Sequence, residues 1–125
     1  DWATHMIGHE LTALYDIDHA RSLAIIQPSL LRNQLHHKQS KLEQMGEAVF
    51  GLDAGKDLAE RTIDAIEAFY HKLDIATQLT DYGNNKQAAV EAVLAKMEAH
   101  GLLAIGEHQS ITLQESRTIL QAAIA

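Results

Sequence analysis

Three of the eight histidines stand within the first nineteen residues, at His5, His9 and His19. Imidazole can ligate a metal or move a proton near neutral pH. The chain contains no cysteine, so any metal must be held by His, Asp or Glu, and thiol nucleophiles and disulfides are excluded. His5 and His9 are four residues apart, which on a helix puts their rings on one face, where they could hold one ion. Surface histidines that bind nothing also occur at this spacing, and more often. Gly8 lies between them at a cost of about 1 kcal/mol in helix propensity relative to Ala, and its bare backbone would let a ligand or another backbone come close.

Asp18, just before His19, is a good N-cap candidate, and the positive end of the following helix dipole favours neutral imidazole, the form that binds metal. The helical metalloprotease pattern needs a Glu directly after the first His. Here Glu10 follows the second, which excludes that mechanism. His36, His37, His71, His100 and His108 read as solvated or capping residues. A turn and a helix cap account for Asp16 and Asp18. Tyr15 and Tyr82, beside turns, should pack one end of the ring and wet the other, and Trp2 suits interface packing. No Gly-rich phosphate loop, Ser-His-Asp arrangement or nucleotide-binding Lys motif occurs.

The elements that must position these residues are helices. Apolar residues recur at three and four along most of the chain, and β-branched alternation is scarce. The periodicity predicts a first helix over Trp2 to Leu14, a turn over Tyr15 to Asp18, and a second helix from His19 bearing Leu23, Ile26 and Leu30, with Pro28 able to kink it. A third is expected over Ser40 to Phe50 with Leu42, Met45 and Val49 on one side, closed by Gly51. A fourth, Leu58 to Leu73, carries a stripe of Ala59, Ile63, Ile66, Tyr70 and Leu73. A turn through Asp81, Tyr82, Gly83 and Asn84 leads to a fifth, with Ala89, Val90, Val93, Leu94 and Met97, ending at His100 and Gly101. The last opens at Thr112 with a capping box to Glu115. Six helices define an all-α domain without repeats or a second-domain linker.

With 125 residues at 46% hydrophobic content, one core is expected, burying roughly two-thirds of the unfolded surface. Ten basic against seventeen acidic residues give a net charge of -7, which disfavours nucleic acid and anionic membrane surfaces as partners. Asp1 stands where an initiator Met would be expected and the following residues already read as an element in progress, so a piece of a larger soluble protein is the expectation.

The run Asp1-Trp2-Ala3-Thr4-His5-Met6-Ile7-Gly8-His9-Glu10-Leu11 through Asp18-His19-Ala20 resembles the histidine signature of iron-containing alcohol dehydrogenases. Ser22 through Pro28, the Leu79-Thr80-Asp81-Tyr82-Gly83 loop and the Ile111-Thr112-Leu113 stretch resemble the branch of NADP-dependent aldehyde reductases and butanol dehydrogenases. The resemblance spans essentially the whole chain. It implies the helical C-terminal domain of a dehydroquinate synthase-like two-domain enzyme, with the nucleotide-binding domain upstream. It further implies an iron or zinc held by one Asp and three His. The family's two later ligands are fourteen residues apart, as His5 and His19 are, which leaves His9 as a catalytic residue facing the cleft near nicotinamide and substrate. NAD(P) bound mainly by the missing domain, a small alcohol or aldehyde substrate, a homodimeric complete enzyme and a cytoplasmic location follow from the same resemblance. The competing expectations are a free-standing helical interaction module and a stand-alone histidine metal-binding domain.

Overall fold

Ala3, Ile7 and Leu11 recur every four residues, and all three are fully buried, so they form the apolar edge of the first helix. The computed structural model describes residues 2–83 and 86–124. Among these, six α-helices run as α1 Ala3–Tyr15, α2 His19–Asn33, α3 Leu35–Phe50, α4 Leu58–Lys72, α5 Lys86–Ala99 and α6 Leu113–Ala123. A short 3-10 helix, Leu79–Tyr82, links α4 to α5. The all-α expectation therefore holds. Asn84, expected in the turn before α5, lies outside the described residues, as does Asp1 of the histidine motif.

The main core joins α1, α2, α5 and α6 through Ile7, Leu11, Ile25, Ile26, Leu30, Val93, Met97, Ile119 and Leu120. A smaller cluster, Leu42, Ala59, Ile63 and Ile66, binds α3 to α4 and is flanked by Leu31 of α2. The helices α1 and α2 that carry His5, His9 and His19 thus rest on the larger core, and the α3–α4 pair is an annex to it.

Local signals place several boundaries. Asp18 caps α2, its Oδ1 accepting from the Arg21 backbone N–H at 3.0 Å. Gly51, Gly83 and Gly101 adopt the positive φ angles 63°, 79° and 72° that end their elements. Thr112 caps α6 by accepting from the Glu115 N–H at 3.3 Å. The reciprocal half of the capping box is replaced, because the Glu115 carboxylate accepts from Asn33 Nδ2 at 2.9 Å and ties α6 to α2. Helix α2 continues through the buried Pro28 without interruption.

Four expectations are corrected. α3 begins at Leu35 rather than Ser40. Long-range contacts set that start: Gln34 is buried and accepts from Ser110 Oγ at 3.3 Å, and Lys38 Nζ lies 2.9 Å from Glu107 Oε1. The apolar side of α3 is not the one expected, since Met45 and Val49 are 36% and 66% exposed. Of the three residues expected there, Leu42 is buried against α4, but it is joined by Gly46, whose Cβ, if present, would stand 2.2 Å from Thr62 Oγ1. Leu73, expected on the α4 stripe, falls at the helix end and is exposed. Finally, Ala104–Ile105 and Ile111–Thr112 form a short antiparallel pair in register Ile105 to Ile111, burying both isoleucines below the helices.

Candidate metal centre

The buried face of α1 decides where its histidines point. His5 and His9 each lie two residues beyond Ala3 and Ile7, about 200° around the helix, and so are turned away from the core. His5 is half-buried and His9 is exposed. Asp16 ends α1 in the left-handed region at φ 54°, its N–H bonded to the Thr12 carbonyl at 3.0 Å, and Asp18 starts α2 two residues later. This brief turn doubles the chain back and brings the first turn of α2, with exposed His19, beside the His5 to His9 stretch.

The result is a triangle of imidazoles. Ring centroids are 5.3 Å apart for His5 and His19, 5.3 Å for His9 and His19, and 5.9 Å for His5 and His9. All three sequence candidates are therefore neighbours, and the fourteen-residue pair is closer than the helical pair. His5 Nδ1 is buried without a hydrogen-bond partner, so one nitrogen of this ring is not engaged by the protein. The exposed Trp2 indole packs against the same ring in a T-shaped arrangement, 4.7 Å between centroids and 68° between planes. Desolvation, followed by the like charge of His19 and His9, holds the His5 imidazole below its usual pKa and favours the neutral form. Neutral imidazole is the form a metal takes, so the donor chemistry fits. Among the described residues, no three His, Cys, Asp or Glu side chains converge closely enough to hold an ion by themselves.

The other histidines have different settings. His100 Nδ1 lies 2.7 Å from Glu10 Oε1, a carboxylate on α1 that is itself buried, so this residue anchors the end of α5 to the helix bearing His5 and His9. His71 Nε2 meets Thr77 Oγ1 at 3.0 Å. His36, His37 and His108 form a separate exposed group, with centroids 3.9 Å apart for the first two and 5.0 Å for the last two. Tyr15 and Tyr82 pack against the main core while staying partly accessible, as expected of ring-and-hydroxyl residues beside turns. The Glu10 to His100 and His37 to His108 pairings join residues far apart in the chain, and no local spacing announces them. An apolar cavity of about 500 Å³ between α3 and α4, lined in part by Met45, Val49 and Phe69, was likewise not legible from periodicity.

A helical domain that gathers three imidazoles at one surface is the class these features define. The chain belongs to the Fe-containing alcohol dehydrogenase family, matching the family's C-terminal region over residues 1–124. It is 42% identical over 125 residues to the NADPH-dependent aldehyde reductase YqhD of Escherichia coli, covering 98% of this chain and 32% of that protein. It is 34% identical over 128 residues to the probable NADH-dependent butanol dehydrogenase 1 of Bacillus subtilis, covering 99% of this chain and 32% of that one. The solved structure of substrate- and cofactor-free YqhD superposes with a TM-score of 0.94 over 98% of this chain and 33% of that chain, at 42% identity. The chain thus spans about a third of the length of these relatives.

Proposed function

We propose that this chain is the metal-binding helical C-terminal domain of an enzyme that interconverts alcohols and aldehydes with NAD(P)(H). Its part is to supply two metal ligands, His5 and His19, and one wall of the active-site cleft with His9. The observation that carries the proposal is that His5 and His19, fourteen residues apart as the ligand pair of the family signature is, lie with their rings 5.3 Å apart in a chain of an iron-containing dehydrogenase family.

When bound, iron or zinc supplies Lewis acidity toward a carbonyl or alcohol oxygen, and the nicotinamide supplies or accepts hydride. The chain's own residues do the positioning. Desolvation and the neighbouring imidazoles lower the His5 pKa, which favours a free lone pair near neutral pH. His19 is placed by the capped first turn of α2, immediately after Asp18. His9 has an exposed ring adjacent to both and is set to hold or pass a proton at the cleft. The remaining Asp and His ligands and the dinucleotide-binding loop belong to an upstream domain in this proposal. Two imidazoles alone leave coordination positions to water, so this chain should bind metal weakly and be inactive by itself. A homodimeric complete enzyme in the cytoplasm, with a small alcohol or aldehyde as substrate, completes the proposal. Its negative charge fits a protein without nucleic-acid or membrane partners, and among the described residues no helix is long and apolar enough to cross a membrane.

A zinc titration followed through the histidine ring signals by NMR tests the ligand assignment. The His5 and His19 signals should move together, His5→Ala and His19→Ala should each abolish binding, and His9→Ala should retain it. In a longer protein carrying the other ligands, the first two variants should lose metal and activity together. The competing reading is a stand-alone three-histidine site; the three rings are neighbours, but among the described residues they do not converge closely enough to hold an ion by themselves. Tight binding lost equally from all three variants would establish that reading and overturn ours.

A further inference from the structure

We infer that the contact between Gly8 and Ser22 sets the separation of His5 and His19, which makes both of them positioning residues for the proposed metal centre; the inference rests on that ligand assignment. Gly8 is buried in α1 between His5 and His9, and its φ is not among the positive angles of the chain. Backbone conformation therefore does not call for glycine here, and a helix-interior glycine costs about 1 kcal/mol relative to alanine. Close approach does call for it. A Cβ on Gly8 would lie 3.2 Å from Ser22 Oγ and 3.3 Å from Leu23 Cδ2, with the Ser22 carbonyl carbon at 3.6 Å.

The two tight neighbours differ in what they can yield. Leu23 Cδ2 is the tip of a flexible side chain and can turn aside. Ser22 is fully buried, and its Oγ donates to the His19 backbone carbonyl at 2.9 Å. A side chain at position 8 requires its neighbours to yield by a few tenths of an ångström, either by turning that hydroxyl away from the His19 carbonyl or by widening the α1–α2 spacing by that amount. His5 rides on α1 and His19 on α2, so both routes disturb the pair. The glycine, the serine hydroxyl and the His19 carbonyl thus form one continuous link from the middle of α1 to the residue that must meet His5.

Zinc affinity, read from the His5 and His19 ring signals alongside the thermal midpoint, tests this link. Gly8→Ala should weaken zinc binding about tenfold or more, in the range found for groups that orient metal ligands. In the Gly8→Ala/Ser22→Ala double variant the obstructing oxygen is gone, and affinity should return to within about twofold of Ser22→Ala alone. A merely structural role would lower the midpoint while the folded Gly8→Ala chain kept its affinity, and that result overturns the inference. Zinc binding by Gly8→Ala equal to the unaltered chain, with His19→Ala not binding, removes the positioning role and leaves the ligand assignment standing. Unchanged binding by His19→Ala removes both. Should Gly8→Ala fail to fold, the double variant decides: it must fold and match Ser22→Ala, and its failure to do so counts against the link.

Discussion

The His5 ring lies 5.3 Å from the His19 ring although the two residues are fourteen positions apart, whereas His9, one helical turn from His5, is 5.9 Å from it. The closer pair is made by the return of α2 across α1. Its geometry therefore depends on the cap that starts α2, on the anchors that hold α1, and on the stability of the domain around both.

Asp18 should matter through its cap. Its side chain accepts the Arg21 N–H, and its ion pair with the Arg21 guanidinium, although 3.0 Å long, is exposed and should add little. Asp18→Ala should lower stability by about 1 kcal/mol, with Asp18→Asn near the unaltered value because Asn caps equally well. Urea denaturation of the two variants checks this, and equal losses in both would assign the effect to charge instead.

The Glu10 carboxylate is 5% exposed and its partner is His100. Removing the imidazole strands a buried acceptor. His100→Ala should destabilise the chain by about 1–3 kcal/mol, most of which Glu10→Gln should offset when combined with it, since the neutral amide is cheaper to bury. Chemical denaturation of the single and double variants provides the measurement; a stable His100→Ala chain would dismiss the anchor.

At the α3–α4 contact, Gly46→Ala places a methyl group 2.2 Å from Thr62 Oγ1, a buried hydroxyl already donating to the Leu58 carbonyl. The loss expected is about 1–3 kcal/mol, as for overpacking in cores. Gly55→Ala is the control, because its nearest neighbour, Arg61 Nη2 at 3.2 Å, is the end of a long side chain. A comparison of thermal midpoints should show a large drop for the first and little for the second.

The pH dependence has a defined sign. Desolvation first, then the like charge of His36, His108 and Lys38, lowers the His37 pKa against the opposing Glu107, and His5 is lowered by desolvation, His19 and His9. In the folded chain both imidazoles release protons below the unfolded value of 6.5, so the unfolded chain binds more protons between the depressed values and 6.5. Stability should therefore fall as pH drops through that window. Glu91 and Glu107, lowered chiefly by hydrogen bonds from Arg117 and Lys38, extend the loss to more acidic pH, where their carboxylates protonate. Urea midpoints taken with chelator present at about pH 7.5 and 5.5 should differ, and His37→Gln should narrow the difference; an unchanged difference would remove His37 as a contributor.

Much of the fold was readable from residues a few positions apart. The caps at Asp18 and Thr112, the left-handed ends at Gly51 and Gly101, and the Ala3, Ile7 and Leu11 edge are local bonds or one-turn periodicities, complete within a single segment. The histidine motif, too, is a local pattern, and it carried the family. Tertiary structure decided the rest. Leu35 became the start of α3 through Gln34 and Lys38 reaching residues 110 and 107. Gly46 rather than Met45 and Val49 faced α4, because a seam is chosen by the volumes on two helices at once. The same reason governs the imidazoles: helical spacing brings His5 and His9 to one face in any setting, but the distance from His5 to His19 exists only once α1 and α2 have packed, with Gly8 against Ser22.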